Sequence, residues 1–194
     1  MLYHGTSHLI AEKIEKDGFC VPILDILQVE RNKKYWNRSI GSLGYGLYTF
    51  LNDPALAYQF ALKVDSKSPI VFELPDVIPE NKLLDLTDEH TNQLFREFCE
   101  SNSKHGERIY KYVRKSRKVK SYAGIMIELY ILFLERRYHV EILGVKRWTE
   151  TDLPNIKYGI GANGIEVTIR DFSLIDMDKV KILRKEDFYG SKQD

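Results

Sequence analysis

Residues 41–50 read Gly-Ser-Leu-Gly-Tyr-Gly-Leu-Tyr-Thr-Phe, three glycines running into a strand-like stretch that ends near Leu51. Glycine permits positive φ and lets backbone approach backbone or ligand closely. A dinucleotide-binding fingerprint would need a helix after the glycines and an acidic residue roughly 20 positions further on. Here a strand follows them, and no acid stands at that distance. A doubly wound parallel sheet is therefore excluded as the reading, and taken alone the stretch is a glycine-rich hairpin loop.

Downstream, Asp53-Pro54 is a helix start, a capping carboxylate with proline in the first turn, and "PALAYQFALK" follows it. "PIVFEL" (69–74) reads as a buried strand. Upstream, "LYHGTS" (2–7) is a short strand, after which Thr6 or Ser7 caps a helix with apolar Leu9, Ile10 and Ile14, stopped at Gly18. Residues 19–40 form a loop with a basic, aromatic centre over Val29–Ser39, holding Arg31, Lys33, Lys34, Tyr35, Trp36 and Arg38. From Leu84 to Leu134 the periodicity is helical in at least three pieces. Strand character returns in "YHVEILGV" (138–145), "GIEVTIRD" (164–171) and "DKVKIL" (178–183), and "YGSKQD" closes as a loose tail. The order predicts an α+β fold with a mixed or mainly antiparallel sheet.

In the strand after Asn163, Ile165, Val167 and Ile169 point one way and Glu166, Thr168 and Arg170 the other. A carboxylate at such a strand end is either a surface charge or a group held in a cleft, where it stabilises a developing cation or accepts from a sugar hydroxyl.

With 194 residues, 43% of them hydrophobic, the chain can bury a full core. Cys20 and Cys99 stand far apart without a CxxC pair, so neither a disulfide framework nor a zinc site is expected, and a reducing, cytoplasmic setting fits. No apolar run approaches the roughly 20 residues of a membrane span; Ala123–Leu134 is too short and is interrupted by Glu128. No signal peptide or membrane association is expected. Net charge is +1, yet Lys104, Arg108, Lys111, Arg114, Lys115, Arg117, Lys118 and Lys120 face one acid, Glu107, with Tyr110 and Tyr112 interleaved. That block is either a solvated helix face, a track for a nucleic acid, or a dock for an acidic protein. His4 and His8 have a metal-compatible spacing without a third ligand, so no metal is expected. Glu135 and Glu141 read as surface charges.

"LYHGTS", "GYGLYTF" and "NGIEVTIRDFSLI" resemble, in order, the three motifs of ADP-ribosyltransferases of the histidine-tyrosine-glutamate type, the group of diphtheria toxin and the poly(ADP-ribose) polymerases. The resemblance spans nearly the whole chain: His4-Gly5-Thr6, then Gly44 to Tyr48, then Glu166 to Asp171. It implies split mixed or antiparallel sheets with flanking helices, as one domain over 1–188 with a helical insertion at about 84–137 and a tail from 189. It implies NAD as substrate, His4 and Thr6 on a ribose, Gly5 backbone on the nicotinamide amide, and Tyr48 stacked on the nicotinamide ring. Glu166 would hold the nicotinamide ribose 2′-hydroxyl and stabilise the oxocarbenium-like transition state. Tyr58, beside Phe60, would complete the nicotinamide sandwich.

Departures shape the expectation. Gly164, two residues before the glutamate, makes arginine a poor acceptor, and no Ser-Thr-Ser strand is present. Tyr45 replaces the lysine of the polymerase-type second motif, so single rather than polymeric transfer is implied. The acceptor is a macromolecule, protein or nucleic acid, with Lys115, Arg117, Lys118 and Trp36 as its candidate contacts. The same likeness implies a toxin or defence effector, for which a neutralising partner protein would be expected. Alternatives are an RNA 2′-phosphotransferase, which also begins "LYHGT", a NAD glycohydrolase, and a silent module binding NAD, ADP-ribose or nucleic acid.

Overall fold

A computed structural model describes residues 1–19, 40–114, 121–150 and 163–189. Trp36, Lys115, Arg117, Lys118 and positions 190–194 of the expected tail lie outside the described residues.

The local signals near the start are realised. Strand β1 (Leu2–Ser7) runs into helix α1 (His8–Asp17), where Ser7 rather than Thr6 is the cap, its Oγ accepting the Ile10 N–H at 3.4 Å. Gly18 ends the helix at φ 72°, donating to Ile14 O. After β2 (Leu47–Leu51), Asp53 Oδ1 accepts the Leu56 N–H at 2.8 Å and opens α2 (Pro54–Val64). Then come β3 (Pro69–Leu74) and the short β4 (Leu83–Asp85).

The helical middle differs from the expected three or more pieces. Among the described residues it holds two helices, the 26-residue α3 (Glu89–Arg114) and α4 (Tyr122–Tyr138). Gly106 lies within α3, and its missing side chain makes room for Met126 of α4. Helix α4 also takes up Tyr138, so the next strand, β5, starts later than expected, at Gly144–Thr149. β6 (Gly164–Ile169), β7 (Lys181–Leu183) and the five-residue α5 (Lys185–Tyr189) complete the chain.

The protein is α+β, with seven strands in the order β4-β5-β6-β2-β1-β3-β7. All neighbours are antiparallel except β4 and β5. Parallel neighbours need a crossover connection, and α3 with α4 lies on the chain between β4 and β5. The expected insertion is thus the crossover of the sheet itself.

The strands also form one continuous sheet where two split sheets were expected. The centre of the sheet holds a seam: β1 and β2 pair only through Leu2↔Leu51 and Tyr3↔Phe50, while β1 pairs with β3 along its full length from Leu2↔Leu74 to Ser7↔Pro69. Past Tyr3 the two central strands have no register partners in each other.

Helix α1 and the segment 172–180 cover one face, packing on Leu2, Phe72, Val167 and Ile169 of the sheet. The other face carries two separate apolar clusters. Helix α2 packs on Tyr3, Phe50 and Val71, while α3 and α4 pack on Leu84, Val145 and the loop residues Ile40, Leu43 and Tyr45.

Candidate functional site

The three stretches singled out in the sequence come to lie on β1, β2 and β6, which are adjacent at the centre of the sheet. Directly opposed residues of antiparallel strands share a face. The register therefore sets one row across it: Arg147 on β5, Glu166 on β6, Phe50 on β2, Tyr3 on β1. Tyr48 stands opposite Thr168 in the next row. Glu166 and Tyr48 are thus diagonal neighbours, on the strip between the two apolar clusters. Leu56 of α2 lies over Gly164, where a Cβ would strike it.

The glycine loop ties Tyr48 and Glu166 together. The Tyr48 hydroxyl donates to Gly44 O at 2.7 Å and accepts the Leu43 N–H at 2.9 Å, and its ring occupies the space a Gly41 side chain would need. Burial, together with the nearby Glu166 and Glu128 charges and against the Leu43 hydrogen bond, holds this phenol far above its ordinary value, so it remains a donor. At the other end Ser42 Oγ donates to Glu166 Oε2 at 3.3 Å. Burial pushes the Glu166 carboxyl up, opposed by hydrogen bonds from Thr149 and Ser42 and by the Arg147 charge.

His4 reaches the site differently. It belongs to the face of Leu2 and Thr6, opposite that of Tyr48 and Glu166, and its ring lies edge-on to Phe19 at 6.0 Å. Its Nδ1 is 2.8 Å from Tyr48 O, across the open seam. A carbonyl only accepts, so Nδ1 carries the proton and donates. Burial lowers the His4 pKa, against that hydrogen bond. The neutral ring substitutes for a ladder bond that the diverging strands cannot make, and its Nε2 is left as an acceptor.

A buried ion pair, missed in the sequence reading, fixes the loop from behind. Glu128 of α4 is 3% exposed; Arg170, just past β6, is 14% exposed. Arg170 grips both Glu128 oxygens, at 2.6 and 3.0 Å, and also donates to Tyr45 O at 3.2 Å. Glu128 Oε1 accepts the Tyr45 N–H at 2.6 Å. Burial works against the Arg170 charge, and the Glu128 carboxylate more than restores it. Gly44 sits at φ 78°, with no room for a Cβ beside Glu128. The signal for this pair was present: a single acid in the apolar run Ala123–Leu134 must find a partner once that run is buried.

The remaining candidates sort by place. Gly5 pairs with Val71 of β3, and its lack of a side chain lets α2 settle on β1, since a Cβ would overlap Ala57 O. Thr6 is buried on the His4 face. Tyr58 is 2% exposed with its ring 4.3 Å from that of Phe188, so in this arrangement it belongs to the core under α2. Phe60 is only partly buried and lies 6.0 Å from Phe50. His8 pairs with Glu12 at 3.4 Å; Glu141 pairs with Lys82, and Glu135 accepts the Ile142 N–H.

Among the described residues no group of three or more metal-ligating side chains occurs, and no helix is long and apolar enough to cross a membrane. Thr168 Oγ1, fully buried beneath Gly46, has no hydrogen-bond partner among the described residues. Comparison of the chain with protein-family models, with curated proteins and with solved structures finds no match in any of the three.

Proposed function

We propose that the chain is a NAD-dependent mono-ADP-ribosyltransferase. The observation that carries the reading is the meeting of three sequence-distant stretches on β6, β2 and β1, with Tyr48 and Glu166 on one strip and His4 bonded to the Tyr48 carbonyl through the seam. In this reading NAD is the substrate and no metal takes part. The bond broken joins nicotinamide N1 to ribose C1′, and nicotinamide leaves neutral with the bonding pair. The ribose acquires oxocarbenium character, which the ionised Glu166 stabilises. A fixed charge in a partly desolvated site is effective at this. A nucleophile of the acceptor then bonds to C1′ and its proton passes to solvent. Tyr48 remains protonated and holds the loop that presents Ser42 to Glu166. Neutral His4 offers Nε2 as an acceptor for a hydroxyl.

The test is incubation with NAD labelled in its ADP-ribose half, alone and with protein, RNA or DNA, scoring nicotinamide release and label on macromolecule. Release with transfer supports the reading. Release with free ADP-ribose as the sole product turns it into a glycohydrolase, and no release under any condition overturns it.

A further inference from the structure

Arg147 and Glu166 stand directly opposite one another across the β5–β6 ladder and share a face. Opposed side chains of paired strands begin about 5 Å apart at Cβ, so a long guanidinium can bond the carboxylate or stay clear of it. The cations nearby bond: Lys146 meets Asp85 at 2.7 Å and Arg170 meets Glu128 at 2.6 Å. Arg147, partly buried, stays clear, and it enters no ion pair and no side-chain hydrogen bond among the described residues. Its charge is nevertheless felt by Glu166 on one side and by the Cys99 thiol of α3 on the other, and favours the ionised form of each.

Two demands on Glu166 conflict. A carboxylate taken out of water holds its proton more tightly, and burial pulls Glu166 that way. A carboxylate gripped by a guanidinium keeps its charge but, like Glu128, has both oxygens occupied. A cation one strand away meets both demands, because Coulomb attraction falls only as the inverse of distance whereas a hydrogen bond is lost beyond about 3.5 Å. The Ser42 and Thr149 hydroxyls then orient the group without neutralising it. Among the described residues the titratable groups facing Glu166 are Arg147 from β5 and the phenol of Tyr48 from β2, which stays protonated. Helix α2 brings apolar Leu56 over neighbouring Gly164, and Glu128 of α4, beyond the loop, is answered by Arg170.

We propose that Arg147 is a positioning residue for Glu166: from across the ladder it keeps the carboxylate ionised while leaving its oxygens clear of any cation. The role deepens the transferase reading and rests on it for what Glu166 acts upon, whereas the pairing of the two charges does not. Two neutral variants, Arg147→Met and Arg147→Gln, and one charged variant, Arg147→Lys, test it. Nicotinamide release by the neutral variants should fall about tenfold near pH 5, with the deficit closing toward pH 8, and Arg147→Lys should follow the wild-type profile. A loss that is the same at every pH, or that Arg147→Lys does not restore, overturns the role, since it would give the guanidinium fork to the substrate or the acceptor. A second measurement needs no NAD. In urea melts at pH 7 the stability gained by Glu166→Gln should be larger in the Arg147→Met background than in the wild type, and the excess should vanish below about pH 4, where the carboxyl is protonated in folded and unfolded chains alike. Equal gains in both backgrounds at pH 7 overturn the pairing. A larger gain in a protein that releases no nicotinamide leaves the pairing standing and removes the transferase.

Discussion

Glu128 and Glu166 lie at opposite ends of one short loop, residues 41–45, and the molecule treats them in opposite ways. Glu128 is deeply buried and fully engaged: a guanidinium fork grips both its oxygens and the Tyr45 amide takes one of them again. Glu166 is partly buried and held by hydroxyls, Ser42 and Thr149, with Arg147 alongside but not bonded to it. The first arrangement engages both oxygens of the carboxylate in holding the loop and makes it a fastener. The second keeps a carboxylate in a partly dry place with no cation bonded to it, the condition in which it can act on something else. A loop anchored by the first presents the second.

The largest expected effect falls on the fastener. Glu128→Leu leaves Arg170 buried without its countercharge and the Tyr45 N–H without its acceptor, and should lower unfolding free energy by about 3–5 kcal/mol. Glu128→Leu with Arg170→Leu should recover much of that loss, because burying two apolar groups costs less than burying one unpaired charge. Urea melts of the single and double variants measure both; a single variant within 1 kcal/mol of wild type, roughly the worth of one hydrogen bond, would remove the distinction between the two ends. Next is the middle of the loop. Tyr48→Phe deletes the bonds to Gly44 O and Leu43 N–H and should cost about 1–3 kcal/mol, read in the same melts.

Glu166→Gln should go the other way. Burial raises the Glu166 pKa, so between its ordinary value of 4.5 and the raised one the unfolded chain ionises while the folded chain does not. Stability attributable to this group is full below 4.5, falls as pH rises through that window and stays low above it. Glu166→Gln should therefore melt higher than wild type at pH 7, with the gap closing toward pH 4. The His4 shift has the opposite sign: its lowered pKa removes stability as pH falls below about 6.5. Comparing each variant with wild type at matched pH separates the two. The smallest effect is that of Ser42→Ala, whose 3.3 Å bond to Glu166 is partly solvated. It should change stability by under about 1 kcal/mol while moving the pH profile of any Glu166-dependent activity upward, since the Ser42 hydrogen bond lowers the Glu166 pKa.

The local parts of this arrangement were readable along the chain. Asp53-Pro54 opens α2, Gly18 closes α1, and the alternation over 165–169 sets Glu166 and Thr168 on one face because each depends on residues within a few positions. What pairs with what was not readable. The fork from Arg170 to Glu128 joins residues 42 apart, and the Phe50↔Glu166 register crosses more than 100 positions. A sequence shows that Glu128 interrupts an apolar run but not which cation answers it. The helix count failed for a related reason: residues 89–114 run as one helix, in which Gly106 is a packing site for Met126, a fact that belongs to another helix. The resemblance implied two split sheets, and the continuity of the one sheet through Leu2↔Leu51 and Tyr3↔Phe50 depends on register that no single stretch carries.

The central claim is that the carboxylate without a bonded cation is the reactive one. Its most direct measurement is nicotinamide release from NAD by wild type, Glu166→Gln and Glu128→Leu/Arg170→Leu, each assayed well below its own melting temperature. The account predicts release by the wild type, a loss of at least about 100-fold in Glu166→Gln despite its higher melting temperature, and a much smaller loss in the double variant. Release by Glu166→Gln at the wild-type rate would contradict it.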